Sequence, residues 1–374
     1  MSGLGRWSGS QGNIPAGRPP HWKETEMSSG PAILRATPVI QLIRMKDVDK
    51  DELEQAALDG KGTEYFQGFN LGQLVHSGAV LEARNEGLRI LTECLRADRD
   101  AYKSIHKGGP YYWLGMAAFV MHDFETALYF MDAAASEDMR HEPPLPDAPG
   151  VLFIRLEGDS PNQAAQQMVQ VGQARIEGLI TAYNQTTGRT VANLSVSEFR
   201  EVFLRPAATR THESWKTLAT AFISFVIEAD ARVAQRELVG QTGTMEPFIL
   251  HLFKGCVLFE SLLKQSPAAQ SSDPGLATGT IRPVLQHLSG RLGVAEDVGR
   301  GTFTLPQVLE DLASADDSIT SAVRIAVKTR NTTGHNLAWN VDLSHEAYQQ
   351  LYERVGIACL HAVSCLYRPA QNGD

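Results

Sequence analysis

Apolar residues recur at helical spacing through most of the chain. From about residue 68 onward they return every three or four positions, the period of an amphipathic α-helix. The pattern predicts long helices over 161–184 and 212–240 and a short one over Ser195–Phe203. The run VLFIRLE at 151–157 fits either a strand or the first turns of a helix. We therefore predict an all-α fold.

The C-terminal segment, 245–374, reads as a bundle of four or five helices. Its first helix has Pro247 near the start and ends before Pro267. Its last helix begins after Ser344, which we expect to act as the N-cap, with Leu343 and Tyr348 at the spacing of a hydrophobic staple. One face of this last helix is apolar and carries Tyr348, Leu351, Tyr352, Val355, Cys359, Ala362, Val363 and Leu366.

Composition shifts divide the rest of the chain. Gly, Ser and Pro dominate the first 31 residues, which predicts a disordered tail. A proline-rich break at 141–150 and a Gly/Thr linker at 237–245 mark two further boundaries. The predicted organisation is a tail (1–31), a repeat-like helical region (32–150), a helical middle region (151–244) and the bundle (245–374).

The repeat-like region contains two similar stretches, 81–98 and 121–138, spaced by 40 residues. The second belongs to a longer unit, PYYWLGMAAFVMHDFETALYFMDAAASED, which resembles a tetratricopeptide repeat. That resemblance implies antiparallel helical hairpins over about 70–140 and a binding surface for a protein partner or trigger. The family's consensus proline is missing, and one copy alone is clear. The small positions that let paired helices approach are Leu114-Gly115, Ala118, Ala127 and Ala134.

Composition and charge narrow the class of protein. The 374 residues are 43% hydrophobic and 21% charged, with four cysteines and a formal charge of -9. With no long apolar run, secretory signal or disulfide framework, we expect a soluble cytoplasmic protein with no membrane partner. The net acidity argues against coating nucleic acid by charge alone, although it allows a local basic site.

Motifs for bound cofactors are missing. The sequence has no phosphate-binding GxxxxGK[ST] and no G-x-G-x-x-G. The calcium-loop-like DVDKDELEQAAL lacks both the turn glycine and the final glutamate. Cys359, His361 and Cys365 fall on different faces of a helix, which favours a structural role over metal binding. We expect no metal and no cofactor.

One constellation survives, in the segment TRNTTGHN at 329–336. Its Arg330-Asn331-x-x-x-His335 resembles the R-x(4–6)-H signature of HEPN domains, which favour a polar residue after the arginine. The resemblance covers about the last 125 residues, through helix order and the motif's place before the final long helix. The bare spacing is unspecific, since four other Arg/His pairs share it. One of these, Arg354 and His361, lies off the apolar face of the last helix, and we expect both side chains in solvent.

Helical geometry constrains the motif independently of the family. Arg330 continues the apolar face of the preceding helix, where an unpaired guanidinium is costly. It therefore needs a carboxylate, a subunit interface or an anionic ligand, and Glu260 is a candidate partner. His335 lies about 140° from Arg330 on a straight helix, so convergence needs a helix break at Thr332-Thr333-Gly334 or two protomers. The apolar face consists of Ile319, Ala322, Val323, Ala326 and Val327.

The HEPN resemblance implies an all-helical bundle. Many members of that family are metal-independent endoribonucleases of bacterial defence and toxin systems. Their active sites typically lie at dimer interfaces. RNA carries its own nucleophile, the 2′-hydroxyl, so such a site needs a proton-transfer group and a cation. His335 suits general acid–base catalysis, Arg330 suits phosphate binding, and Asn331 suits an orienting role.

Two functional hypotheses follow. In the first, a homodimeric C-terminal ribonuclease cuts RNA while the N-terminal helices sense a trigger, an arrangement that resembles abortive-infection effectors. In the second, the chain is a non-enzymatic scaffold whose bundle only dimerises. A solvent-reachable cationic cleft shared by Arg330 and His335 favours the ribonuclease, whereas a buried, ion-paired Arg330 facing away from His335 favours the scaffold.

Overall fold

A computed structural model describes residues 46–158, 163–209, 213–239, 244–272, 274–298, 301, 303–334 and 343–368. Most of these residues lie in helices. No strand occurs within those ranges, so the predicted all-α class is confirmed. Most of the ambiguous run at 151–157 belongs to a helix that ends at Arg155, with Leu156 as its C-cap in a left-handed conformation (φ 51°). No helix in the described ranges combines the length and hydrophobicity needed to cross a bilayer. The predicted tail lies outside the described residues.

Eight helices build the N-terminal part of the described chain. Their first core contains Leu53, Phe69, Ile90, Cys94 and Leu114, all buried. The helices are α1 (Lys50–Leu58), α2 (Gly62–Gln67), α3 (Leu71–His76), α4 (Val80–Ala97), α5 (Arg99–Ser104), α6 (Gly108–Val120), α7 (Phe124–Arg140) and α8 (Pro149–Arg155).

Helices α6 and α7 form a close hairpin. A Cβ added at Gly115 would lie 3.1 Å from the carbonyl oxygen of Ala127, so a larger residue there would force the helices apart. The turn between them has His122 in a left-handed conformation (φ 60°), followed by Asp123, whose carboxylate accepts the N–H of Thr126. The close approach expected of the small residues is present at this contact.

The middle helices pack directly on the C-terminal ones. A Cβ at Gly255 would lie 2.4 Å from the Phe225 ring, and one at Gly356 would lie 2.7 Å from Leu179. These contacts cross residue 245, and the division proposed there stays a prediction. The middle elements are α9 (Gln163–Gln185), α10 (Val196–Phe199), a π-helical turn (Arg200–Leu204), α11 (Arg205–Thr209) and α12 (Glu213–Val239).

The described C-terminal residues contain six helices, one more than the four or five predicted, because a short helix at Pro267–Ser272 follows the first one. Ser344 is the N-cap of the last helix, and its hydroxyl accepts the N–H of Ala347 at 3.2 Å. Leu343 and Tyr348 share one buried cluster, as the staple spacing predicts. The helices are α13 (Glu246–Lys264), α14 (Pro267–Ser272), α15 (Ile281–Leu292), α16 (Leu305–Ala313), α17 (Ile319–Thr333) and α18 (His345–Leu366), with a 3₁₀ turn at Pro274–Ala277.

The expectation that His361 and Arg354 both face solvent is wrong, because the His361 side chain is fully buried and that of Arg354 is only 14% exposed. Helix α18 contacts α9, α12, α13, α15 and α17, so the side opposite its apolar stripe is covered as well. Nε2 of His361 lies 2.7 Å from the carbonyl oxygen of Leu292 and therefore donates to it. Nδ1 then accepts from the hydroxyl of Tyr183 at 3.3 Å. Arg354 pairs with Asp317 at 2.8 Å.

We predict that His361 makes the protein less stable in mild acid. Burial lowers the pKa of His361 to about 4, whereas the unfolded side chain titrates near 6.5. Below pH 6.5 the unfolded chain therefore binds a proton that the folded chain refuses, and stability falls as the pH drops toward 4. Between pH 7.5 and 5, the free energy of unfolding of His361→Gln should fall by about 2 kcal/mol less than that of wild type.

Urea unfolding at several pH values measures this difference. The control is His345→Gln, which changes a half-exposed histidine in the first turn of the same helix. Equal pH slopes for wild type and His361→Gln would contradict the prediction.

Candidate functional site

Arg330 and Asn331 lie in the last turn of α17, which ends at Thr333. The N–H of Gly334 closes the helix by donating to the carbonyl oxygen of Arg330 at 3.0 Å. The helix therefore ends between the arginine and the histidine of the motif, as the poor helix formers there predict. His335 itself lies outside the described residues.

The predicted partner of Arg330 is confirmed. Nε of Arg330 donates to Oε2 of Glu260 at 2.7 Å, between the last turns of α17 and α13. The other carboxylate oxygen of Glu260 accepts from Nζ of Lys264 at 2.6 Å. Only 8% of the Glu260 side chain is exposed, so two cations compensate one buried carboxylate.

Arg330 remains partly accessible, with 29% of its side chain exposed. Glu260 takes the Nε side of the guanidinium, and Nη1 lies 3.4 Å from Oδ1 of Asn331, at the limit of a hydrogen bond. Within the described part of the chain these are its polar side-chain contacts. A guanidinium held on one side keeps donors for an anionic oxygen on the other.

Neighbouring contacts fix the end of α17. The hydroxyl of Thr332 donates to the carbonyl oxygen of Phe303 at 3.1 Å. The hydroxyl of Thr333 donates to the carbonyl oxygen of Thr329 at 2.7 Å. Nζ of Lys328 lies 4.2 Å from the centroid of the Phe303 ring and pairs with Asp311. The backbone that carries Arg330 is thus held from two sides.

Sequence reasoning missed two residues near the end of α17, Lys264 beside Glu260 and Phe253 beside Gly334. Lys264 follows Glu260 by four residues, and this i,i+4 Glu–Lys spacing was an available signal. Phe253 lies three turns from Lys264 on α13, and a Cβ at Gly334 would lie 3.3 Å from its ring. No local pattern indicates that second contact, because it joins different helices.

Helix α13 leaves an apolar face partly uncovered beside this site. Leu250 and Val257 are exposed and Phe253 is half-buried, at the i, i+3, i+7 spacing of one helix face. Gly334, next to the motif, leaves no spare room for a side chain beside the Phe253 ring, so the face begins next to the motif.

The other end of α13 lines a polar cleft of about 730 Å³ together with the α6–α7 turn and α12. Nζ of Lys254 donates to Glu125 at 2.8 Å and lies 3.6 Å from Glu228. Beneath them His251 is buried, with Nε2 donating to the carbonyl oxygen of Phe225 at 2.9 Å. Burial lowers the pKa of His251 to about 4, so the imidazole is neutral at physiological pH.

Metal binding would need a group of ligating side chains, and thiol chemistry would need an ionised cysteine. Among the described residues no three His, Cys, Asp or Glu side chains form a group that could hold a metal ion. Burial raises the pKa of the Cys365 thiol to about 12 and that of Cys359 well above its usual range. Neither thiol is a thiolate at neutral pH.

Comparisons of the chain with protein-family models, with curated proteins and with solved structures find no match. The HEPN resemblance therefore rests on the residues of the motif and on the order of the helices. The geometry adds an arginine at a helix end, oriented by a buried glutamate and reachable from solvent.

We predict that Arg330 and Glu260 are energetically coupled. Glu260→Gln and Arg330→Gln should each destabilise the fold by about 1–3 kcal/mol, because each leaves a partly buried group without its charged partner. The double variant should lose less free energy of unfolding than the two single variants lose together, by about 1 kcal/mol or more.

Urea unfolding of the four proteins gives this coupling free energy. The exposed pair Lys103–Asp100, 3.4 Å apart, serves as the control and should show no measurable coupling. Strict additivity for Glu260 and Arg330 would show that their contact is only a surface pair.

Proposed function

We propose that the C-terminal helices form a metal-independent endoribonuclease of the HEPN type. One observation supports this above the others. Glu260 holds the Nε side of Arg330, while 29% of the arginine side chain stays exposed beside Asn331 at the end of α17. A histidine follows that helix end within two residues, as His335. Phosphate binding and proton transfer thus have their residues close together in the chain.

The proposed reaction is attack of an RNA 2′-hydroxyl on the adjacent phosphorus. The 2′-oxygen forms a bond to phosphorus as its proton leaves, and the bond to the 5′-oxygen breaks as that oxygen gains a proton. His335 is the proposed proton-transfer group, since imidazole titrates near neutral pH. Arg330 binds the phosphate oxygens and stabilises their developing charge, with Asn331 orienting phosphate or imidazole. The products carry a 2′,3′-cyclic phosphate and a 5′-hydroxyl.

Glu260 is a positioning residue in this proposal. It fixes the guanidinium through Nε, and Lys264 offsets the second carboxylate charge so that Arg330 keeps its affinity for an anion. The chain has a net charge of -9, so an RNA-binding surface requires its cations to be clustered. A homodimer formed through Leu250, Phe253 and Val257 would bring a second motif beside the first and supply a larger cationic surface.

The N-terminal helices are the proposed sensor of a protein partner or trigger. Glu125 at the start of α7 pairs with Lys254 of α13, the helix that also carries Glu260. A partner that displaced the α6–α7 turn would act on the same rigid element as the site. Together these features support a role as a cytoplasmic defence or toxin effector.

The alternative is a non-enzymatic scaffold, and one observation favours it. Arg330 is ion-paired with a carboxylate that is buried, which is also what a purely structural arginine would do. The partial exposure of Arg330 favours the ribonuclease instead. Activity measurements decide between the two.

We expect induced expression of wild type in bacteria to arrest growth and fragment RNA, and Arg330→Ala and His335→Ala to do neither. The matched control is Arg324→Ala, on the same helix and half-buried like Arg330. Growth curves, total RNA and the chemistry of the RNA ends are the readouts. Equal growth of all four strains, with folded protein at equal levels and with phage challenge added as a trigger, would favour the scaffold.

A further inference from the structure

Helix α4 presents leucines to solvent in a regular row. Leu81, Leu88 and Leu95 are 54%, 40% and 42% exposed, and each follows the last by seven residues. Asn85 and Thr92 lie between them on the same exposed face. The face therefore advances by alternating steps of four and three residues. The opposite face of α4 is buried in the N-terminal core through Ala83, Gly87, Ile90, Leu91 and Cys94.

Steps of four and three are the spacing of a coiled-coil seam. In that pattern the three leucines occupy the d positions, and Asn85 and Thr92 occupy the a positions. The leucines supply the apolar contacts of the seam, and the polar residues at both a positions between them lower its stability. Single exposed leucines are ordinary on protein surfaces, but three in heptad register form a surface for another helix.

The charges at the ends of this surface identify the matching helix. Glu82 lies in the first turn of α4 and Arg96 in the last, and both are exposed. A second α4 running antiparallel would place Glu82 near Arg96 of the other copy at both ends. A parallel copy would place Glu82 near Glu82 and Arg96 near Arg96. Opposite charges favour the antiparallel pair, as do its opposed helix dipoles.

The middle of the surface is compatible with this symmetry. A two-fold axis near Leu88 makes that leucine contact its own copy, with Leu81 toward Leu95 of the other copy. Arg89 also lies near the axis and pairs with Glu86 and Glu93 of its own helix, so two unpaired arginines do not meet there. One guanidinium with two carboxylates leaves a net charge of -1 in each copy, which weakens the association at its centre.

We propose that the Leu81–Leu88–Leu95 face of α4 binds a second copy of this chain in an antiparallel helix pair. This surface is separate from the apolar face of α13 beside Arg330 and does not depend on ribonuclease activity. A seam of about two heptads is short, so we expect a weak, concentration-dependent association on its own.

Cysteine cross-linking of the full chain tests the arrangement. In a Cys365→Ser background, whose remaining cysteines are buried, Leu88→Cys should form a disulfide-linked dimer rapidly under mild oxidation. Leu81→Cys should link to differently tagged Leu95→Cys more than to itself. Leu58→Cys, an exposed leucine on α1, gives the rate of random collision. If Leu88→Cys forms the disulfide-linked dimer no faster than Leu58→Cys, the proposal is overturned. If Leu81→Cys links to itself more than to Leu95→Cys, the helices are not antiparallel.

A charge swap tests the same pairing without new thiols. Glu82→Arg or Arg96→Glu alone should raise the dissociation constant of the pair about tenfold, because each turns two attractions into two repulsions. The double swap should restore it. Sedimentation velocity over a concentration series is the measurement, with unfolding curves to confirm that each variant is folded. Failure of the double swap to restore association would contradict the antiparallel pair.

Discussion

Helix α18 is covered by helices from both halves of the chain, and from Val355 to Ser364 every one of its residues is buried. This half of the helix must therefore be apolar or internally hydrogen-bonded around its whole circumference. Gly356 admits Leu179 from α9, and His361 meets the carbonyl oxygen of Leu292 from α15. Buried close approaches of this kind leave little freedom for the helices around them. Helices α13 and α17 are fixed beside α18 in this way, and their last turns meet where Glu260 contacts Arg330.

Helix α13 then joins two charged sites. Lys254 binds Glu125 at the polar cleft, and six residues later Glu260 binds Arg330. Six residues correspond to about 9 Å along a helix, so the two contacts are less than two turns apart. The turn between α6 and α7 and the end of α17 are therefore connected through one helix rather than through a chain of loops. This connection is the physical argument behind the proposal that the N-terminal helices sense a partner.

Much of the fold follows from periodicity and caps, which are local. The helix ends, the Ser344 cap and the break after Arg330 all depend on residues within one turn. The Glu260–Arg330 pair could be predicted because Arg330 continues a buried face, and a buried charge needs a partner of opposite charge. The burial of His361 could not be predicted, because the sequence of one helix does not show which other helices pack against its polar side. The same holds for the contact of Lys254 with Glu125, which joins residues 129 positions apart.

We propose that Arg330 serves RNA cleavage through the RNA's own 2′-hydroxyl. To test this, the purified chain is incubated, with chelator present, with an RNA oligonucleotide and separately with the same oligonucleotide fully 2′-O-methylated. We expect cleavage of the unmodified RNA to 2′,3′-cyclic phosphate ends, no cleavage of the methylated RNA, and loss of activity in Arg330→Ala but not in Arg324→Ala. Cleavage of the methylated RNA, or equal activity in Arg330→Ala, would contradict it.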